Sequence, residues 1–417
     1  MITLKKMSRV TIACLFLAAG SMWSLAQESQ PTGFKFNNLT VSPFVNLDYA
    51  YDSNVDYDKA ALGDSILEVN PGVDLAYKGN DWGLTANGWF SYDKYINYTT
   101  LDALRYGDHV NFYKETAGGW RLVLGQSYLK SSQNDSLIDG GQGLWRSRDE
   151  LGLNGALSYQ ASEKTSITLT GMYDDLNYIN DPTNIPQPKR KYAADLYGWS
   201  EWALGLELAY KITEKSNLLL NGGYQNYISD GANGISSAST GYSLMVGFGS
   251  AATQKVTYHA LTGFTMFDYA GGDQLVAGTG GAGKQLVGWT YTLDSSWVIN
   301  KKLVATVAGS SYFQPSETQQ NQAEQIYALS SGLTYRPMPK LSTRFDIAFR
   351  REVGQFSTKT VEAPTLDLYS ARARADYQLT HRVSLYAGFE YQTQMSAEDS
   401  FAAFDRIYGT LGVNLKY

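Results

Sequence analysis

The sequence predicts an all-β fold, a transmembrane antiparallel up-and-down β-barrel of about 18 strands with short turns at one end and longer loops at the other. Three observations predict it. Apolar and polar residues alternate with a period of two in segment after segment, which only a strand converts into two distinct faces. The connections between segments sort by parity into short and long. The last segment ends on an alternating strand with a terminal aromatic residue, Tyr417.

Residues 1–26 read as a secretory signal: Lys5, Lys6 and Arg9, an apolar run from Val10 to Trp23, and Ser24, Leu25 and Ala26 as a small-residue cleavage site. The run is shorter than the ~20 residues a membrane helix needs. Cys14, the only cysteine, lies inside it, so the mature chain is expected to lack cysteine and disulfides. Residues 27–38 form a polar periplasmic stub, and 39–417 the barrel.

The first strand sets Val45, Leu47, Tyr49 and Tyr51 against Asn46, Asp48, Ala50 and Asp52. The second sets Leu67, Val69, Val73, Leu75 and Tyr77 against Glu68, Asn70, Gly72 and Asp74; Trp82, Leu84, Ala86, Gly88, Phe90 and Tyr92 make one face of the third. Alternation continues near 108–114, 120–130, 149–160, 165–178, 196–211, 216–228, 240–249, 255–268, 285–298, 302–313, 325–336, 341–351, 366–379, 382–393 and 404–417.

Polar turns such as Lys78–Asp81, Glu115–Gly119, Ala161–Lys164, Thr213–Ser216, Asn300–Lys302, Arg336–Lys340 and Thr380–Arg382 interleave with longer Gly-, Asn- and Ser-rich segments. The long class includes Ser53–Gly63, Ser131–Arg148, Ile179–Asp195, Ile228–Ser239, Asp268–Lys284, Gln314–Glu324 and Glu352–Thr365. A soluble sandwich has no reason to sort loops this way, whereas an outer-membrane barrel has short periplasmic turns and longer outer loops. An even strand number then puts both termini in the periplasm. Tyr77 and Trp82 flank one short turn, Tyr210 and Tyr335 precede others and Trp120 follows another, where interfacial girdles are expected.

Composition narrows the function. A formal charge of -6, made more acidic by loss of the basic signal, and no basic run longer than Lys189-Arg190-Lys191 leave nucleic acid without an electrostatic footprint. The mean hydropathy of -0.29 is what half-apolar membrane strands give.

The stretch Ser42-Pro-Phe-Val45 through Tyr49-Ala-Tyr-Asp-Ser-Asn-Val55 resembles the opening strand of the β-barrel porin-2 family of outer-membrane proteins, and the periodicity extends the likeness over most of the mature chain. Gly412, Leu415 and Tyr417 likewise resemble the C-terminal signal that barrel-assembly machinery recognises for insertion. The resemblance implies a location among the outer-membrane lipids of a Gram-negative bacterium and a channel-like function; it supplies no site residues.

No catalytic or metal-binding constellation is expected, and no cofactor. The histidines, His109, His259 and His381, stand in no recognisable Ser/His or Asp/His motif, and the Gly271–Gly283 run lacks the Lys-Ser/Thr ending of a phosphate loop. What stands out is inward charge. If Phe345, Ile347 and Phe349 face lipid, Arg344, Asp346 and Arg350 face the lumen; Arg372 and Arg374 do so opposite Ala371, Ala373 and Ala375, and Arg406 joins them. Closure brings these strands beside Asp48, Glu68 and Asp74. Two roles compete for these pore-lining residues: a transverse field acting on permeating solutes, or an ion-pair ladder that satisfies buried charge. The expected function is passive diffusion of small hydrophilic solutes, with exopolysaccharide export or a closed structural or adhesive barrel as alternatives.

Overall fold

Each barrel strand hydrogen-bonds antiparallel to its sequence neighbours, and the last pairs with the first. The computed structural model describes residues 33–55, 57, 61–135, 144–179, 198–229, 237–253, 255–270, 285–315, 323–355, 365–396 and 403–417. The expected export signal, Cys14 and the Gly271–Gly283 run lie outside them.

The strands are β1 (Phe34–Phe36), β2 (Leu39–Asp52), β3 (Asp64–Lys78), β4 (Trp82–Tyr95), β5 (Ala103–Glu115), β6 (Trp120–Asp135), β7 (Leu144–Gln160), β8 (Thr165–Ile179), β9 (Trp199–Thr213) and β10 (Ser216–Ser229). They continue as β11 (Ser237–Thr253), β12 (Val256–Ala270), β13 (Gln285–Asn300), β14 (Leu303–Pro315), β15 (Ala323–Met338), β16 (Leu341–Gln355), β17 (Thr365–Gln378), β18 (Val383–Ser396) and β19 (Phe404–Lys416). Strands β2 to β19 close an 18-stranded barrel through ladder pairs from Tyr408–Asp52 to Lys416–Phe44. Closure gives each of these 18 strands a ladder partner on both sides.

Alternation decides which face points where. On β9, Trp202, Leu204, Leu206, Leu208 and Tyr210 are all exposed on the outside, while the residues between them face in. The same rule turns Leu47, Tyr49 and Tyr51 outward on β2 and buries Asn46, Ala50 and Asp52. A one-residue slip would exchange the two sets along a whole strand.

Eight short turns gather at one barrel end and nine longer connections at the other. Strands run further into the long connections than alternation suggests: β6 reaches Asp135 and β7 begins at Leu144, inside the expected loop Ser131–Arg148. Ladder hydrogen bonds continue there although the period-two contrast has ended, because β6 runs on as Ser131-Ser-Gln-Asn-Asp135 with no apolar residue to mark a face. Within the expected stub, β1 folds back on β2 through Asn37 at φ 54. It brings Phe34 against the ring of Tyr417, 4.9 Å away, so the first described residues and the last meet at the turn end.

At the loop end, side chains pack inside the barrel. Val55 and Leu101 cover Ala50, Ile66 and Tyr95. Leu101 is held there by a short helical turn, Thr99–Leu101, and by buried Asp64, which accepts hydrogen bonds from the backbone N–H groups of Asn97 and Tyr98 at 3.0 and 2.9 Å. Phe267 packs on Phe313, and Leu176 on Trp199 and Tyr227, in other sectors of the same rim. The inner wall is thus built out at its loop end.

Candidate functional site: the charged inner wall

The inward charges follow from the outward apolar residues. On β16, Phe345 and Ile347 are exposed outside, so Arg344, Asp346, Arg350 and Glu352 project inward; Tyr369 and Tyr377 do the same for Arg372, Arg374 and Asp376 on β17. Closure of β19 on β2 then places residues from the two ends of the sequence side by side.

Towards the loop end the charges are buried and densely bonded. Arg406 donates to both carboxylate oxygens of Asp52, from Nε at 2.9 Å and from Nη2 at 2.5 Å, and Nη1 reaches Gln392 at 3.3 Å. Its guanidinium lies 4.6 Å from the ring centre of Tyr57 and 4.8 Å from that of Tyr408, a flat cation between aromatic faces. Arg105 donates to Asp93 at 2.6 Å and to Glu68 at 3.2 Å, while the Ser91 hydroxyl also serves Glu68. Arg350 meets Glu352 at 2.5 Å, with only 10 and 11% of the two side chains exposed.

Nearer the turn end the same chemistry faces open space. Arg344 pairs with Asp346 at 2.7 Å, Arg372 with Glu390 at 3.1 Å and Arg374 with Asp376 at 2.8 Å, with 47, 41 and 30% of the arginine side chains exposed. Lys416 reaches across β2 to Asp74 at 2.7 Å. Gly412 stands between Tyr386 and Asp48 in the ladder, and the Tyr386 hydroxyl passes over it to bond the Asp48 carboxylate. A Cβ on Gly412 would strike both groups. Arg374 covers the Tyr386 ring at 4.2 Å, so one chain of contacts crosses from β17 to β2.

The partners differ from those expected across the seam. Glu68 is engaged by Arg105, Asp74 by Lys416 and by Asn87 at 2.6 Å, and Asp48 by Tyr386. Two ion pairs cross the seam, Arg406 with Asp52 and Lys416 with Asp74. Asp52, Asp93, Arg105, Glu352, Asp376, Glu390 and Lys416 belong to the wall but are not among the residues expected from the sequence. Three pairs had a visible signal, because Arg344/Asp346, Arg350/Glu352 and Arg374/Asp376 are two residues apart and must share a face. Arg105 had none, since its partners lie on β3 and β4.

Leu415 and Tyr417 point outward, and the Tyr417 N–H donates to the Pro43 carbonyl at 2.9 Å; Arg382 covers its ring. His109 faces inward 2.6 Å from Asn111, His259 sits opposite Asp294 in the ladder, and His381 lies in the β17–β18 turn.

No family model matches the sequence, and no curated protein matches it. The fold is similar to solved outer-membrane barrels. The FrpB iron transporter from Neisseria meningitidis superposes with a TM-score of 0.48 at 8% identity, over 90% of this chain and 82% of that one. The siderophore receptor PiuA from Acinetobacter baumannii gives 0.46 at 10% identity over 92 and 82%. OccAB3 from Acinetobacter baumannii gives 0.44 at 8% identity over 92 and 100%. The likeness is one of barrel architecture only.

Proposed function

We propose that the protein is an outer-membrane channel through which small hydrophilic solutes diffuse passively, without catalysis, with residues 1–26 as its export signal and both termini in the periplasm. The observation that carries this reading is the exposure of Arg344 and Arg372. Both project inward, yet 47 and 41% of these side chains are open, so the described residues leave the barrel hollow at that level. An 18-stranded wall is wide enough for an aqueous lumen.

The exterior supports the membrane setting. Tyr210 lies eight positions after Trp202 on β9, with only leucines exposed between them. At ~3.3 Å per residue and a tilt of about 40°, that is about 20 Å of apolar height between aromatic residues, close to the band of a transmembrane barrel. Stacked Tyr77/Trp82 and Trp120/Tyr159, at 4.5 and 4.4 Å, mark the turn-end girdle. Trp202/Tyr224 and Phe349/Tyr369, at 4.9 and 5.0 Å, mark the other.

The inward packing of Val55, Leu101 and Phe313 narrows the loop-end mouth, which favours small solutes over a polymer. The ion pairing of the arginines favours the ladder role over a free positive field. Swelling of liposomes containing the purified protein, measured with neutral sugars of increasing size, tests the reading. Entry that falls off with sugar size supports it, and impermeability to the smallest sugar refutes it.

A further inference from the structure

On this membrane reading the outer wall should be apolar between its girdles, and one sector breaks that rule. Asp108 projects outward from β5 between Tyr106 and Val110. Asp149, Asp175, Asp268 and Asp367 also project outward, but each lies at the loop end of its strand, past the outward residues Leu151, Tyr173, Met266 and Tyr369. Asp108 lies on the turn side of the outward Tyr106, within the apolar band. One of its carboxylate oxygens is buried without a hydrogen-bond partner. A carboxylate in that position is costly without a donor.

The wall beside it is also hollowed. Asp108 is the ladder partner of Gly88, whose outward side has nothing within 4 Å of where a Cβ would sit. Pro71 cannot donate, and the β3–β4 ladder is interrupted there between Val69–Tyr92 and Gly72–Trp89. A notch of ≈ 580 Å³ results, bordered by Pro71, Val73, Gly88, Phe90, Leu104 and Tyr106. On the next strand the ladder partner of Asp108 is Tyr128, and the next outward residue towards the turn end is Gln126, the ladder partner of Val110 and of Leu153.

We infer that this face, β4 to β6, is where a second copy of the chain docks within the membrane, about a two-fold axis running between β5 and β6. An isologous contact needs a surface that complements itself. Here an amide with two donors stands diagonally opposite a carboxylate that accepts only. The two-fold sets Asp108 of each copy against Gln126 of the other, and it turns the Gly88 notch on β4 towards the partner's β7. Lipid tails could fill the notch but offer Asp108 no donor.

The test uses the full-length protein, refolded or extracted in mild detergent and then placed in lipid nanodiscs, with mass measured by light scattering. The expected wild-type species is a dimer, and Val110→Cys is expected to cross-link it. Gln126→Leu should weaken the dimer by about tenfold for each hydrogen bond lost. Asp108→Leu, which removes the lipid-facing charge and should fold at least as well, is expected to be a heat-modifiable monomer. A folded wild-type monomer at every concentration, or a dimer unmoved by Asp108→Leu, overturns the contact while leaving the channel reading intact. Failure to float with lipid vesicles overturns the membrane reading and this contact with it.

Discussion

The charged inner wall contains one kind of interaction in two settings. At the loop end, Arg105, Arg350 and Arg406 pair with carboxylates under covering side chains and keep 10% or less of their own side chains exposed. Further down the same wall, Arg344, Arg372 and Arg374 pair at similar distances while 30 to 47% exposed. Distance therefore says little about what each pair does. In the buried setting, removing one partner strands a charge that water cannot reach, whereas in the open setting water replaces the lost partner. The first set reads as architecture that holds the loop-end rim, the second as the hydrated surface of the lumen.

Removing one arginine from each setting should have very different effects. Arg406→Ala should destabilise the barrel by about 3–5 kcal/mol, because Asp52 is left buried and unpaired. The midpoint of urea unfolding, read from the heat-modifiable gel shift, checks it. Arg372→Ser in the same assay supplies the contrast and is expected to cost about 0–1 kcal/mol. Equal losses would erase the distinction between the two regions.

A second comparison concerns the two faces of one strand. Leu385 is exposed on the outside of β18 and Ser384 faces in. Leu385→Arg should cost about 2–4 kcal/mol at mid-depth and Ser384→Arg far less. Insertion into vesicles by the two variants, compared side by side, would expose an error of parity if both fail alike.

Gly412→Ala probes the seam between the two settings. The added methyl must displace the Tyr386 ring or the Asp48 carboxylate, and overpacking of this kind costs about 1–3 kcal/mol. Combining it with Tyr386→Phe, which removes the hydroxyl reaching Asp48, should recover part of the loss. Unchanged stability of Gly412→Ala alone would mean that the bridge over Gly412 is not tightly packed.

The smallest expected effect is on selectivity. Because Glu390 and Asp376 already pair with Arg372 and Arg374, replacing both arginines with Ser should move the reversal potential in a salt gradient only slightly. A large shift towards cations at low salt, where screening is weak, would show instead that these arginines act on ions as a free positive field.

The barrel was legible because its rules are repetitive. Residues such as Trp202 to Tyr210 announce their face by period alone, and the alternation of short and long connections announces which end is which. Strand ends were less legible: β6 and β7 continue past Ser131 and Arg148, where ladder bonds persist without an apolar contrast to mark them. For the inner wall, direction was readable and partnership was not. Period two places Arg406 inward, but only the shear of the closed ladder decides that it meets Asp52, 354 residues away, instead of Asp48. Gly412 shows the same limit. As a letter it looks like part of a terminal signal, and its role between Tyr386 and Asp48 exists only once three strands are side by side.

The wall at Arg372 is expected to face a water-filled lumen, and the wall at Arg406 is not. Single-channel recording in a planar bilayer with Arg372→Cys, during addition of a charged, membrane-impermeant thiol reagent, tests it most directly. Open channels are expected whose conductance drops in a step as the introduced thiol is modified, with no such step for wild type. Absence of channels, or full modification of that thiol with no change in current, would contradict it.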